Sequence, residues 1–84
     1  MKIKLLYFAH LREVLGTSGE EIELPDGIAD VSTLRNYLVQ RGDSWHVLAQ
    51  AQSLRAAVNQ CLVGPQAPIA DGDEIAFFPP VTGG

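Results

Sequence analysis

The sequence predicts an α+β domain, a mixed sheet of about five strands packed on one main helix plus short helices. Three observations carry this. Leu5-Leu6-Tyr7-Phe8 near the start and Ile75-Ala76-Phe77-Phe78 near the end are apolar on both faces, as strands central to a sheet are. Val31, Leu34 and Leu38 repeat at i, i+3, i+7 behind a capping residue, which marks a helix. Asn59-Gln60 separates two short apolar runs by the two residues of a tight hairpin.

The first strand is Ile3-Lys4-Leu5-Leu6-Tyr7-Phe8, alternating at first and then apolar throughout. A short helix follows, with Phe8, Leu11 and Leu15 as its stripe and Gly16 just past its end. Thr17-Ser18-Gly19 turns the chain. Glu20-Glu21-Ile22-Glu23-Leu24 has period two, with Ile22 and Leu24 inward and the glutamates outward. Pro25-Asp26-Gly27 ends that strand. Asp30 is the N-cap of the main helix, Tyr37 widens its stripe, and Gly42 closes it after Arg41.

Ser44 is expected to cap a second helix over 44–51, with Trp45 and Leu48 on one face. Arg55-Ala56-Ala57-Val58 and Cys61-Leu62-Val63 form the hairpin, with Asn59 suited to φ > 0. Residues 64–70, with Pro65 and Pro68, form a loop, and Asp71-Gly72-Asp73 a turn. Glu74-Ile75-Ala76-Phe77-Phe78 is the last strand. If it lies beside the first, the two buried strands are central and the sheet grips one helix. That is the β-grasp, or ubiquitin-like, arrangement.

The chain has 84 residues, enough for one small domain. Residues 1–78 form the domain, and 79–84 form an extended tail. With 46% hydrophobic residues a core is feasible, but little room remains for an enclosed active site. The net charge of −4 and the scattered basic residues argue against nucleic-acid binding. They suit a soluble protein that docks on basic partners. No apolar run approaches the ~18 residues of a membrane span. The charged N-terminus has no signal-peptide core, and Cys61 is the single cysteine. A cytoplasmic location is expected.

Little else in the chain carries chemistry. Cys61 has no neighbouring cation in sequence to activate a thiol, so it reads as a strand residue. His10 and His46 have no metal-site spacing, and no metal or bound cofactor is expected. Glu20-Glu21 and Asp73-Glu74 read as solvated sheet edges. The glycines end elements and form no phosphate loop.

The tail is different. Pro79 and Pro80 have no N–H, so the ladder stops there. They favour an extended form that carries the tip outward at ~3.1 Å per residue. Val81 and Thr82 follow, and Gly83 and Gly84 give a tip of minimal cross-section. Such a tip can thread a narrow tunnel in a partner, with its backbone pairing along the way. The α-carboxylate of Gly84 is a poor electrophile until it is made an acyl-adenylate. Phe77, Phe78, Pro79 and Val81 can offer an apolar contact at the tail base.

The chain resembles the ubiquitin-like sulfur-carrier family, in its molybdopterin synthase small-subunit branch. The resemblance rests on Tyr7-Phe8-Ala9 with Leu11-Arg12-Glu13, Ala57-Val58-Asn59 with Leu62-Val63, Asp71-Gly72-Asp73-Glu74, and above all the closing octapeptide from Phe77 to Gly84. It covers the whole chain and implies the β-grasp fold. It also implies that an E1-like enzyme uses ATP to adenylate Gly84. A sulfurtransferase or cysteine desulfurase then supplies sulfur for a C-terminal thiocarboxylate.

The tail, with Phe77, Phe78, Pro79, Pro80, Val81, Thr82 and Gly83 as partner contacts, is implied to enter the large synthase subunit of a heterotetramer. There it would donate sulfur to cyclic pyranopterin monophosphate for molybdenum cofactor biosynthesis. The catalytic pocket would lie in the large subunit. The related carrier of thiamine thiazole synthesis, or a ubiquitin-like modifier, is the alternative. A small Cys61 enzyme is the reading from another class.

Overall fold

The computed structural model describes residues 1–50 and 54–79. Its strands are β1 (Lys2–Tyr7), β2 (Gly19–Glu23), β3 (Arg55–Val58), β4 (Cys61–Val63) and β5 (Glu74–Phe78). They form one five-stranded sheet in the order β2-β1-β5-β3-β4. β5 runs parallel to β1, with Leu5 opposite Ile75 and Tyr7 opposite Phe77. It runs antiparallel to β3, with Ala56 opposite Phe77. The remaining pairs, β1 with β2 and β3 with β4, are antiparallel. This is the β-grasp arrangement predicted from the two apolar strands.

The helices are α1 (His10–Leu15), α2 (Val31–Val39) and α3 (Val47–Gln50), with a 3₁₀ turn over Asp43–His46. They cover one sheet face. Ile3, Leu5 and Tyr7 of β1 and Ile75 and Phe77 of β5 are buried there against Leu34 and Leu38 of α2 and Leu48 of α3. Period two in the strands and 3.6 in the helix thus meet in one core.

α2 begins as expected. Asp30 Oδ1 accepts from the Thr33 N–H at 2.8 Å, and Thr33 Oγ1 accepts from the Asp30 N–H at 3.2 Å. This reciprocal cap satisfies two amides of the helix start. It also holds the Asp30 carboxyl below its ordinary 3.8, chiefly through the Thr33 backbone bond. A depressed folded-state value gives stability above the ordinary aspartate range, lost as pH falls through the folded value. Asp30→Ala is therefore expected to lower the thermal midpoint at neutral pH. Its difference from wild type should shrink as pH is taken below 3.8, read by calorimetry across pH.

Three local expectations change. Phe8 is not part of a helical stripe: its N–H donates to Phe77 C=O at 3.2 Å, extending the β1–β5 ladder, and α1 starts after it. Ser44 caps no helix. Gly42, at φ 83, precedes the 3₁₀ turn, and Trp45 N–H donates to the Gly42 carbonyl. The expected end of that segment, Ala51, lies outside the described residues. Glu20 does not point outward, because it shares the parity of Ile22 and Leu24 and pairs in register with Leu5.

Gly19 has a steric reason. A Cβ there would stand 2.5 Å from the Leu5 carbonyl oxygen, so β1 and β2 can approach only with glycine at this position. In the hairpin, Asn59 (φ 52) and Gln60 (φ 70) both take positive φ, as a type I′ turn requires. Asn59 Oδ1 also accepts from the Glu74 N–H at 3.0 Å, which ties the hairpin to the start of β5.

Candidate functional site

The sheet face without helices is open. By register it carries Leu6 of β1, Ala76 and Phe78 of β5, Ala57 of β3 and Leu62 of β4. Phe8, one position past β1, joins them. Leu62 is 63% exposed and Phe8 46% exposed, the two exposed large hydrophobic residues of the described chain. Phe8 lies at the end of β5 from which residues 79–84 leave, and Leu62 lies on the edge strand β4, level with Ala76 in the middle of β5. An exposed apolar patch of this kind is a candidate protein-docking surface.

Phe8 is placed there by its neighbour. Ala9 has φ 54 and ψ −131, a conformation unfavourable for any residue with a Cβ. That turn lets β1 pass directly into α1, which packs against β5. Pro79 is half-buried at the foot of the tail. Phe77 was expected among the partner contacts, but it is 1% exposed. It shares the inward parity of Ile75, so its side chain belongs to the core and only Phe78 can reach a partner. Gly84, Gly83, Thr82, Val81 and Pro80 lie outside the described residues.

Behind the patch, the helix side is braced by charge. Arg41, just after α2, donates Nη1 to Glu20 Oε2 at 2.8 Å and Nη2 to Glu20 Oε1 at 3.0 Å. Tyr7 Oη donates to the same carboxylate at 3.2 Å. The Arg41 guanidinium also lies 4.5 Å above the Trp45 ring, and Trp45 meets Tyr7 edge-on at 5.5 Å. Burial first, and then the Glu20 charge, push the Tyr7 hydroxyl far up, so it stays a neutral donor. The hydrogen bond to Glu20 raises Arg41 further. This bidentate pair joins β2 to the end of α2 and fixes Tyr7, the residue before Phe8.

Cys61 is exposed on the edge strand β4, and its side chain faces away from the parity of Leu62. His10 and His46 are exposed, and His10 lies 3.9 Å from Glu13. Among the described residues no three His, Cys, Asp or Glu side chains converge as a metal site would need. No helix among them is long and apolar enough to cross a membrane. The patch residues Phe8 and Leu62 were not singled out from sequence as contacts. Strand parity was the available signal: each follows an inward residue in a strand.

Fold and site together define a ubiquitin-like β-grasp protein with an exposed apolar patch on its helix-free sheet face. The chain belongs to the ThiS family, which matches residues 5–84. It is 45% identical over 82 residues to the molybdopterin synthase sulfur carrier subunit of Escherichia coli (strain K12), covering 98% of this chain and 99% of that one. Among solved structures it is similar to SAMP1 from Haloferax volcanii, with a TM-score of 0.79, 26% identity and complete coverage of both chains. It is also similar to a chain in a complex of subunits 1 and 2 of molybdopterin-converting factor from Helicobacter pylori 26695. There the TM-score is 0.69, the identity 25%, and both chains are covered completely.

Proposed function

We propose that this chain is the sulfur carrier subunit of a molybdopterin synthase, working through the carboxylate of Gly84. The observation that carries the reading is the near-complete coverage at 45% identity with a molybdopterin synthase sulfur carrier subunit. The geometry is consistent with it: the central strand β5 leads to the tail, and the helix-free sheet face beside it carries an exposed apolar patch.

The chemistry begins and ends with the same carboxylate. The Gly84 carboxylate attacks the α-phosphate of ATP on an E1-like activating enzyme, giving acyl-adenylate and pyrophosphate. A persulfide carried by a sulfurtransferase or cysteine desulfurase displaces AMP to give an acyl disulfide, and a thiol reductant cleaves its S–S bond, leaving the thiocarboxylate on Gly84 and a disulfide on the donor side. In the large subunit the thiocarboxylate sulfur attacks a side-chain carbon of the cyclic pyranopterin monophosphate and displaces the oxygen bonded there, joining Gly84 to the pterin through a thioester. Water then cleaves the acyl–sulfur bond, leaving sulfur on the pterin and the carboxylate on Gly84. The carrier is regenerated without change in its own redox state.

Residues 79–84 act as the inserted tail, and Phe8, Leu62 and Phe78 seat the domain on the large subunit of the heterotetramer. A cytoplasmic location follows from partners of this kind. The similarity to SAMP1 supports a ubiquitin-like modifier as the second reading. Both readings need activation of Gly84, but they differ in what is attached to it.

The test is the intact mass of the chain made together with its activating enzyme and sulfur donor. The expected result is the gain of one sulfur in place of one oxygen, mapped to the C-terminal peptide. An unchanged mass, or an amide link to another protein, would remove the carrier reading.

A further inference from the structure

The open sheet face has two chemically different halves. One half holds Lys2 and Lys4 of β1, Glu21 and Glu23 of β2 and Glu74 of β5. Its charges are matched: Lys2 Nζ lies 3.5 Å from Glu21, the N-terminal amine lies 3.7 Å from Glu23, and Lys4 stands in register with Glu21 and Glu74. The other half is the apolar patch, and within its strands it carries one charge, Arg55. This side chain is exposed and stands directly opposite Phe78, the last residue of β5. Among the described residues it makes no ion pair or side-chain hydrogen bond.

We propose that Arg55 orients docking by pairing with a carboxylate on the partner surface beside the opening that receives the tail. The inference rests on the docking reading above and deepens it. An apolar patch is non-directional and would seat at many rotations about the sheet normal. A tail of fixed length reaches its tunnel at only one of them. A single off-centre cation breaks that degeneracy, because only the productive rotation brings it to its counter-charge. Intramolecular stability does not account for Arg55, since no carboxylate of the described chain reaches it. The net charge of −4 steers the carrier as a whole toward basic surfaces, so a local contact of opposite sign sharpens the registration.

The control lies on the same face. Lys4 registers with Glu74, and Arg55 with Phe78, four residues further along β5. That places the two cations ~13 Å apart along the strand direction, beyond the ~10 Å screening length at 0.1 M salt. Arg55→Ala and Lys4→Ala each remove one positive charge, so net charge changes equally.

Association of the full chain with the purified large subunit would be followed by surface plasmon resonance at low and high salt, with thermal midpoints as the folding check. Arg55→Ala is expected to slow association about 5–10-fold at low salt, with most of the difference gone at high salt. Lys4→Ala should stay within about twofold, and Arg55→Lys should recover most of the rate. Equal effects of Arg55→Ala and Lys4→Ala, or no effect of either, would overturn the role of Arg55 while leaving the docking reading in place. Failure of the wild-type chain to bind the large subunit would overturn the docking reading and this inference with it.

Discussion

Deleting Gly84, or adding a single residue after it, is expected to abolish sulfur transfer while the thermal midpoint of the domain stays where it was. The separation follows from where the two functions sit. Every buried hydrophobic residue of the described core lies at or before Phe77. The chemistry needs one α-carboxylate at one distance from the docking face. An added residue moves the reacting group by about 3.3 Å, and a displacement of 1 Å can already cost on the order of a hundredfold in rate. The measurement is molybdopterin formation in a reconstituted synthase, beside calorimetry of each variant. Substantial activity from the extended chain would show that the working group is elsewhere.

The second large effect is on stability. Phe77→Ala is expected to destabilise the domain by about 3–5 kcal/mol, the usual range for truncating a buried phenylalanine. Phe77 is 1% exposed, opposite Tyr7 on one side and Ala56 on the other, at the middle of the sheet. For 84 residues the whole stability is about 4–13 kcal/mol, so this one substitution can unfold the protein. Phe78→Ala, on the open face, should cost far less and should instead weaken partner binding. Urea midpoints of the two variants decide the matter: similar losses would mean that the core and contact roles are not divided between neighbouring residues.

The capping of α2 by Asp30 and the Asn59-Gln60 turn were legible from residue types and spacing, whereas both Phe77 and Phe78 were expected as contacts although strand parity puts them on opposite faces. The central position of β5 was legible because a strand apolar on both faces must be covered by neighbours. Other features were hidden for physical reasons. Phe8 has helical spacing to Leu11 and Leu15, and only the bond from its amide to Phe77, 69 positions on in the chain, keeps it in the sheet. Glu20 has the parity of Ile22, yet a carboxylate at an inward position looks wrong until its cation is known. That cation, Arg41, comes from the far end of another element. Arg55 looked like one scattered basic residue because its isolation depends on how the glutamates distribute over a folded face.

The strand order has a consequence for how the protein comes into being. β1 pairs with β2, and β3 pairs with β4, each within a short stretch of chain. The two pairs share no edge, and each alone is a marginal two-stranded ribbon. Among the described strands β5 comes last in the chain and is the one that pairs with both ribbons. Closing the sheet therefore waits on contacts of very long sequence separation, which slows folding and makes it cooperative. The segment that locks the two ribbons together is the same one that leads into the tail. A chain that has not finished folding has no anchored tail base to offer to a partner.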